Sequence, residues 1–393
     1  MTAPGAEAGD EGLQLAWLGH AAGRRTDGLT SYSEQVTVGL ERRGVRVYFH
    51  HAGNEGKEVP GNPAEVIAWP TLNFKTVTLP RPGFRHRMGQ WLEDHRPDIV
   101  HCSVSFTLAD GWVGTRGLGL GSGTVATFHL PFGSSGTGRA AVMRELHRFW
   151  ARRLRSYERV IVFSQEHLER LSRVGFSEER LRVVPNAVDV TQFSPGPSRL
   201  RAGTLQSADL VIGYAGRLDP EKGIRQLLRA FRMADPGPGA RLLLAGDGVL
   251  RPMVQRAAAM DPRVVYLGQV VGVQARTDFW RSVDVFCLPS SAEGLSISML
   301  EAMATGCAVA VTRAGGLQAL GGCGLELDEH RLTESLAERM RQMSADREDL
   351  SRLGALCRAE AIRHHSLEAM LDHLLDIYAE IKPNQVSRTR PKP

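Results

Sequence analysis

The chain has 393 residues, of which 42% are hydrophobic and 23% are charged, and its formal net charge is +5. This composition excludes a disordered chain, and the length indicates two or three globular domains. The sequence contains no stretch near the ~20 consecutive apolar residues that a membrane helix needs. The basic balance favours an anionic partner, which could be a phosphorylated substrate, an acidic membrane surface or nucleic acid.

The N-terminus and the cysteines provide evidence on the cellular compartment of the protein. Residues 1–12 are acidic and rich in Ala and Gly, whereas a secretory signal begins with positive charge and continues into a long apolar core. We therefore expect a disordered segment over residues 1–12 of a cytoplasmic protein. An odd number of cysteines without CxxC spacing favours buried free thiols over a disulfide framework or a zinc site. These cysteines are Cys102, Cys287, Cys307, Cys323 and Cys357.

The first half of the chain predicts an α/β domain over residues 13–193. Short apolar runs alternate with amphipathic helical stretches, the first of which covers residues 30–43, and this alternation is typical of parallel βαβ units. The predicted strands are residues 13–18, 45–49, 98–101, 123–128, 159–163 and 182–184.

A change of composition separates this domain from a second one. Residues 194–207 are rich in Pro, Gly, Ser and Arg without apolar periodicity, which predicts a linker. The alternation then restarts and predicts a second α/β domain over residues 208–364. Its predicted strands are residues 210–214, 241–245, 264–267, 284–288 and 308–311. Residues 365–382 are predicted to form one amphipathic helix, and the basic tail 383–393 is expected to be disordered.

The strongest candidate for chemistry is the sequence EGLSISMLE, which runs from Glu293 to Glu301 after a predicted strand. Ser296 is a suitable N-cap for a helix that ends near Gly306. The N–H groups of Leu295 and Ser296 would then point from the helix N-terminus toward an anion such as a diphosphate. Two carboxylates on this element could accept hydrogen bonds from sugar hydroxyls. The alternative is an ordinary amphipathic helix with two surface acids.

A second candidate is the sequence GRLDPEKG, which follows the first strand of the second domain. Arg217 supplies a planar fork of donors and Lys222 a mobile point charge, and two cations in one strand-to-helix loop can neutralise two adjacent phosphates without a metal. The alternative is a solvated basic turn in which Lys222 pairs with Asp219 or Glu221.

Together the two motifs resemble the retaining GT-B glycosyltransferases of glycosyltransferase family 4. The matching elements are E-x7-E in EGLSISMLEAMATG and G-R-L-x3-K-G in GRLDPEKGI, with lesser matches in VVPNAVDVTQF, AGDGVLRPMV and HSLEAMLDHLLDIY. The resemblance covers most of residues 28–380 and does not specify a substrate. It implies an α/β fold of the GT-B type, with two Rossmann-like domains facing a cleft and a C-terminal helix that crosses back to the N-terminal domain.

The resemblance implies roles for the residues of the second domain. Arg217 and Lys222 would hold the donor diphosphate, with backbone groups at Leu295 and Ser296 beside it. Glu293 would contact hydroxyls of the transferred sugar, and Glu301 would contact the nucleotide ribose.

It also implies two site residues in the first domain. RTDGLTSYS resembles the family's Gly-rich loop and places Gly28 near the β-phosphate, whereas a tight turn is the alternative for this glycine. TFHLPFGSSG resembles the segment that carries a histidine near the donor sugar, which makes His129 the candidate. A structural histidine at a strand end is the alternative there.

The expected reaction follows from the same resemblance. Arg217, Lys222 and helix N-termini would stabilise the departing nucleoside diphosphate, and the sequence contains no D-x-D metal motif. Family members retain the anomeric configuration, and the usual proposal is a front-face mechanism in which the leaving phosphate helps to deprotonate the acceptor. No cofactor is expected beyond the donor, a UDP-sugar or a GDP-sugar of a hexose or N-acetylhexosamine. The acceptor stays open among glycans, lipids and small molecules.

Two stretches depart from the family pattern. RAGGLQALGGCGLELD, after the strand 308–311, is shorter than usual and has Gln318 and Ala319 where a Pro-Glu pair is common. LGQVVGVQ at 267–274 lacks an acid that some members carry. We expect backbone contacts to the base there, which do not distinguish uridine from guanosine.

A basic stripe forms a separate candidate for a membrane surface. Five arginines recur at spacings of 4, 4, 3 and 4, which predicts one face of a helix. They are Arg144, Arg148, Arg152, Arg155 and Arg159. The stripe could dock peripherally on anionic lipid headgroups. A solvated helix face, partly paired with Glu145 and Glu158, is the interpretation that we favour.

Other functions fit the sequence less well. A sugar-nucleotide epimerase would not need GRLDPEKG, and a phosphorylase would need a lysine for pyridoxal phosphate. A nicotinamide dehydrogenase would need G-x-G-x-x-G after a strand, whereas GHAAGRRTDG differs and GLGLGSG precedes a strand. Nucleic-acid binding lacks a recognised motif. A non-catalytic sugar-nucleotide-binding protein stays open, although the intact set of candidate residues argues against it.

Overall fold

The computed structural model describes residues 12–20, 28–53, 59, 61–73, 78–104, 109–129, 138–291 and 295–382. These residues group into two compact units. The first unit takes its residues from Met1–Gly23, Tyr32–Val184 and Leu371–Pro393, and the second takes them from Arg24–Ser31 and Pro185–Met370. Each unit is built around one parallel sheet, which confirms the predicted fold class of two Rossmann-like α/β domains.

The first sheet contains all six strands that the sequence predicts in this half of the chain. Its strands are β1 (Gln14–Gly19), β2 (Arg46–Ala52), β3 (Glu65–Trp69), β6 (Ile99–Val104), β7 (Gly123–Phe128), β8 (Arg159–Val162) and β9 (Leu181–Val183), and a separate antiparallel pair joins β4 (Thr71–Asn73) to β5 (Thr78–Pro80). The order is β3-β2-β1-β6-β7-β8-β9, with every neighbour parallel. β6 and β7 are buried at every position, as parallel strands covered on both faces are.

Helices connect these strands. They are α1 (Gly28–Arg42), α2 (Phe84–His95), α3 (Ala109–Gly119), α4 (Gly138–Arg153) and α5 (Gln165–Arg173). α1 matches the first predicted helix within two residues at each end. Apolar residues that face the sheet, among them Val36 and Leu40, are fully buried.

The predicted arginine stripe is not one helix face, and that prediction is wrong. Arg144 lies in α4, with a side chain outside the described part of the structure. α4 ends at Arg153, because the next residue, Leu154, turns into the core and is buried. Arg155 then lies in a turn, and Arg159 is the first residue of β8.

Two arginines of the stripe are paired with carboxylates. Arg148 contacts Glu145, one turn away in α4, and Nε of Arg159 lies 3.0 Å from Oε2 of Glu380. Arg152 is exposed. In the described part of the chain, no helix has both the length and the apolar character needed to cross a bilayer.

The second sheet has the doubly wound order of a Rossmann fold. Its strands are β10 (Leu210–Ala215), β11 (Ala240–Ala245), β12 (Val264–Tyr266), β13 (Val285–Leu288), β14 (Ala308–Thr312) and β15 (Leu325–Leu327). The order is β12-β11-β10-β13-β14-β15, all parallel. The strand order reverses between β10 and β13, and α/β sheets bind ligands at the carboxyl edge of such a switch point.

The helices of this unit flank its sheet. They are α6 (Arg199–Ala202), α7 (Ile224–Ala234), α8 (Arg251–Met260), α9 (Val273–Arg281), α10 (Ile297–Ala304), α11 (Leu332–Ala345) and α12 (Arg347–His364). Residues 194–207, where the sequence predicts a linker, pack on this unit. Ser198 Oγ donates to the carbonyl of Asp278 at 3.0 Å, and Leu205 is buried.

The last helix, α13 (Leu367–Ile381), follows α12 closely and matches the predicted C-terminal helix. From Leu371 onward its residues group with the first unit. Leu371, Leu374 and Tyr378 are fully buried. The apolar face of this helix therefore packs into the core of the first unit.

Candidate functional site

The loop after β10 carries the two predicted phosphate-binding cations in different environments. Arg217 is half exposed, contacts the Asp219 carboxylate and places Nη2 at 3.0 Å from Oε1 of Glu221. Lys222 ends a short 3₁₀ turn and is only 8% exposed. Both acids of this loop therefore contact Arg217, which is the more exposed of the two cations.

This loop is fixed to the segment that leaves β13. The N–H of Ser291 donates to the carbonyl oxygen of Glu221 at 2.9 Å, and Oγ of Ser290 donates to the same oxygen at 3.2 Å. Gly223 has φ of +70°, and a Cβ at this position would collide with the carbonyl oxygen of Pro289. Only glycine combines this backbone conformation with so close an approach. The loops that follow β10 and β13 at the switch point are therefore joined by hydrogen bonds and close packing.

Helix α10 begins as the sequence predicts. Ser296 is its N-cap, and its Oγ accepts a hydrogen bond from the N–H of Met299 at 3.4 Å. The carbonyl of Leu295 accepts from Nδ2 of Asn186 at 2.9 Å, which fixes the approach to the helix. Glu293 lies outside the described residues. The N-terminus of an eight-residue helix therefore opens at the same sheet edge as the loop after β10.

Glu301 is buried on α10 and held by two side chains of α9. Its Oε1 accepts from Nη1 of Arg276 at 2.6 Å, and its Oε2 accepts from Nε1 of Trp280 at 2.8 Å. The Glu301 side chain is 4% exposed and the Arg276 side chain 21%. Each carboxylate oxygen keeps one lone pair beyond these bonds, so the group can still accept from a hydroxyl.

Burial and charge act on the pKa of Glu301 in opposite directions. Burial raises this pKa, because a low-dielectric environment disfavours the carboxylate. The guanidinium of Arg276 and the hydrogen bond from Trp280 lower it, and the net direction is upward from the ordinary value. The two α9 side chains therefore offset part of the penalty for a buried carboxylate.

His129 follows β7 in the first unit and lies among aromatic rings. Its ring centroid is 4.7 Å from that of Tyr32 and 5.1 Å from that of Phe163. Its Nε2 is buried and has no hydrogen-bond partner among the described residues. Burial, with smaller contributions from His20 and His101, holds its pKa well below the ordinary range. The imidazole is therefore neutral at pH 7, with one polar atom available to a ligand.

A buried polar network underlies this histidine, and the sequence does not reveal it. His101 Nε2 lies 2.7 Å from Oγ1 of Thr127, and its Nδ1 lies 2.6 Å from the hydroxyl of Tyr378. The hydroxyl of Tyr32 lies 3.3 Å from the same Thr127 oxygen. Burial lowers the pKa of His101 to about 3. The network joins α1, β6, β7 and α13 and fixes the ring against which His129 packs.

Gly28 is the first residue of α1. No described atom outside its chain neighbours lies within 4 Å of the position that a Cβ would occupy. Steric crowding by the described residues therefore does not require glycine here. Its predicted contact with a phosphate stays a prediction.

The structure thus places part of the predicted site at one sheet edge. Arg217, Lys222, Leu295 and Ser296 follow β10 and β13, and Glu301 lies one turn into α10. Further residues, which were not predicted from the sequence, form hydrogen bonds that hold the predicted loops and Glu301 in place. They are Asn186, Arg276, Trp280, Ser290 and Ser291. The i, i+4 spacing of Arg276 and Trp280 was a usable signal, since it places a cation and a donor on one helix face.

Two family models match this chain. "Glycosyltransferase Family 4" matches residues 26–192, and "Glycosyl transferases group 1" matches residues 209–346. The two matches cover most of the first and second sheets, respectively.

Curated relatives and a solved structure agree with these matches. A GDP-mannose-dependent alpha-mannosyltransferase of Mycolicibacterium smegmatis is 30% identical, over 77% of this chain and 80% of that protein. A D-inositol 3-phosphate glycosyltransferase of Rhodococcus opacus is 26% identical, over 89% and 85%. The structure of Anabaena HepE in complex with UDP and glucose superposes with a TM-score of 0.73 at 18% identity, over 94% of this chain and 100% of that one.

The matching models lie in sequence order on the two parallel-sheet units, and the relatives span most of both chains. The chain therefore belongs to the GT-B glycosyltransferases of glycosyltransferase family 4.

Proposed function

We propose that this protein transfers a hexose or N-acetylhexosamine from a UDP-sugar or GDP-sugar to a hydroxyl acceptor with retention of configuration and without a metal. The observation that carries the proposal is the joined pair of loops at the switch point of the second sheet. They bring Arg217, Lys222 and the N-terminus of α10 to one edge. Two cations and a helix N-terminus form a site for a diphosphate.

The cations would act on the leaving group. As the glycosidic bond breaks, negative charge grows on the β-phosphate, and fixed positive charge stabilises the transition state more than the ground state. Lys222 is nearly buried, so its charge would interact in a lower dielectric than that of the exposed Arg217. We therefore assign Lys222 the larger share of the stabilisation and Arg217 a role in closing over the diphosphate.

The polar groups around the sugar and the ribose would set orientation. Glu301 offers a buried carboxylate to the vicinal hydroxyls of the ribose, and Glu293 is proposed to contact hydroxyls of the transferred sugar. His129 offers a neutral imidazole with an unpartnered Nε2, which suits a hydrogen bond to a sugar hydroxyl. In the front-face mechanism the leaving phosphate takes the acceptor proton, so no protein base is needed.

The names of the relatives support a polar acceptor for hexosyl transfer. One relative is named a GDP-mannose-dependent mannosyltransferase and another an inositol 3-phosphate glycosyltransferase. We propose a role in glycolipid, cell-surface polysaccharide or glycoconjugate synthesis, with the donor base to be identified by experiment.

The first experiment is a thermal-shift screen of the full chain against UDP, GDP, ADP and NAD in EDTA and in Mg²⁺. A ligand at 100 times its Kd stabilises the folded state by about 2.7 kcal/mol. We expect stabilisation by UDP or by GDP that is equal in EDTA and Mg²⁺. Stabilisation by NAD alone, or by a nucleotide only with Mg²⁺, would contradict the proposal.

The second experiment assigns the residues. Lys222→Met, Arg217→Met and Glu293→Gln should each lower the rate of donor turnover at least tenfold without lowering the melting temperature. The matched control is Arg241→Met, because Arg241 lies at the amino end of β11 and bonds the carbonyl of Pro238. Proton NMR of the product anomer tests retention. Full activity of the Lys222 variant, or inversion of the anomer, would overturn the assignment.

A further inference from the structure

The side chains of α9 hold both oxygens of one buried carboxylate in a fixed orientation. Arg276 and Trp280 are four residues apart and therefore share a helix face. Arg276 contacts Oε1 of Glu301 at 2.6 Å and Trp280 contacts Oε2 at 2.8 Å. The guanidinium of Arg276 also lies 5.6 Å from the ring centroid of Phe193. The contact with Phe193 limits the rotation of Arg276, and the two hydrogen bonds limit the rotation of Glu301.

A contribution to stability does not by itself explain why a buried Arg276–Glu301 ion pair occupies this position. Taking an arginine and a glutamate out of water is unfavourable, and well-packed apolar side chains of similar volume often stabilise a fold as well or better. An oriented carboxylate has a use that apolar side chains lack. Its remaining lone pairs can accept two hydrogen bonds from neighbouring hydroxyls, which is the pattern that the 2′ and 3′ hydroxyls of a ribose present.

We propose that Arg276 is a positioning residue for the nucleotide ribose, acting through Glu301 and setting the preference for ribose over deoxyribose. This inference rests on the proposed function, in which Glu301 binds the donor ribose. Arg276 and Trp280 hold the two carboxylate oxygens from the side of α9, and the free lone pairs would accept from the diol. Arg276 also opposes protonation of the buried group, because a nearby positive charge favours the carboxylate.

The pH dependence of binding separates this role from packing. Without the guanidinium, burial alone acts on Glu301 together with the single hydrogen bond from Trp280, and the pKa of the carboxyl moves further upward from its ordinary value. A protonated carboxyl has lost one acceptor position. In an Arg276→Met variant, nucleotide affinity should therefore rise with pH over a range in which that of the unaltered protein is flat.

The experiment is calorimetric titration with UDP, GDP and their 2′-deoxy forms. The proteins are the unaltered chain, Arg276→Met, Arg276→Lys, Glu301→Gln and the control Arg281→Met. Arg281 lies on the same helix but bonds the carbonyl of Ser194 at 2.7 Å. We expect Arg276→Met to weaken the ribonucleotide about tenfold and to weaken the 2′-deoxy form, which keeps only the 3′ hydroxyl, to a smaller extent. Arg276→Lys should restore part of the preference, and the control should match the unaltered protein.

The outcomes distinguish this inference from the proposed function. If Glu301→Gln keeps the full preference for ribose, Glu301 does not bind the sugar and the proposed site fails together with this inference. If Glu301→Gln removes the preference and Arg276→Met keeps it, only the role of Arg276 is overturned. Equal weakening of both nucleotides by Arg276→Met would also overturn it. Should Arg276→Met fail to fold, the ribose preference and pH profile of Arg276→Lys decide between the same outcomes.

Discussion

The indole N–H of Trp280 donates to Oε2 of Glu301 across 2.8 Å, with both side chains almost fully out of water. An uncompensated carboxylate in such a place would bind a proton or destabilise the fold. The bond from Trp280 satisfies one oxygen, and the Arg276 guanidinium satisfies the other. The packing of α9 against α10 is therefore fixed by polar contacts as well as by apolar area.

Trp280→Phe tests the strength of this contact. Phenylalanine keeps much of the edge-to-face packing on Phe279 and Phe286 but cannot donate to Glu301. We expect a loss of about 1.5–3 kcal/mol, the range for a hydrogen bond to a charged group. Urea unfolding measures it. Trp150→Phe is the matched control, because Nε1 of the equally buried Trp150 has no hydrogen-bond partner in the described ranges. Equal losses in both variants would show that the hydrogen bond contributes nothing.

Gly223→Ala tests the junction of the two loops. Alanine would have to adopt φ of +70° and would collide with the carbonyl oxygen of Pro289, so the loop must move away from β13. We expect at least tenfold weaker nucleotide binding and a loss of more than ~2 kcal/mol, because a left-handed backbone alone costs an L residue about 1–2 kcal/mol. Calorimetry and urea unfolding give the two values.

The control for this substitution is Gly237→Ala. Gly237 also has a positive φ, of +98°, but no described atom outside its chain neighbours lies within 4 Å of its Cβ position. It should therefore show the backbone penalty without the change in nucleotide affinity. If Gly223→Ala binds nucleotide as well as Gly237→Ala does, the junction with Pro289 does not position the site.

The sheets were predictable from the sequence where strands are buried on both faces. β7 and β13 are buried at every position, and their predicted bounds agree with the structure within one residue. Two edge strands, β3 and β15, are not predicted from the sequence. Only one of the five residues in Glu65–Trp69 is buried, and Leu325–Leu327 has three residues. Three residues are too few to show an apolar pattern, whereas residues 66–69 of β3 are a short apolar run from which no strand was predicted.

The candidate site was predictable only in part. Its motifs are short stretches of sequence, whereas the residues that hold the motif side chains in place come from distant parts of the chain. Arg217, Lys222 and Glu301 follow β10 and β13, which are neighbours in the second sheet, so their common edge follows from a topology that the sequence does not give. The contacts that hold Glu301 depend on how α9 packs on α10. His101 and Tyr378 are 277 residues apart. No spacing rule connects such pairs before the fold is known.

Acid should destabilise the first unit through two buried histidines. Burial lowers the pKa of His50 and of His101 to about 3, from an ordinary value of 6.5. Below pH 6.5 the unfolded chain takes up protons that the folded chain excludes until about pH 3, so stability is lost as the pH falls through this window. From pH 7 to pH 5 each histidine should contribute a loss of about 2 kcal/mol.

Urea unfolding at pH 7 and pH 5, followed by a first-unit signal such as Trp17 or Trp69, measures this loss. His50→Phe removes one of the two groups and should reduce the difference between the two pH values by about 2 kcal/mol, whatever its effect at pH 7. The exposed His86→Gln, on the first turn of α2, should leave the difference unchanged. An unchanged difference in His50→Phe would show that His50 does not stay neutral in the folded state.

The second half of α13 should be a structural part of the first unit, and Leu371→Ala tests this. Leu371 is fully buried, and its Cδ1 lies 2.5 Å from the position that a Cβ on Gly39 of α1 would occupy. Removing a buried leucine leaves a cavity that a close-packed core fills only partly, which costs about 2–5 kcal/mol. We expect this loss, together with faster hydrogen exchange in β1 and β6. Leu356→Ala on α12, where the leucine is 45% exposed, should cost less than ~1 kcal/mol. Equal losses of stability in the two variants would contradict the prediction, because truncating the exposed Leu356 creates no cavity. Such a result would show that Leu371 does not contribute to the core of the first unit.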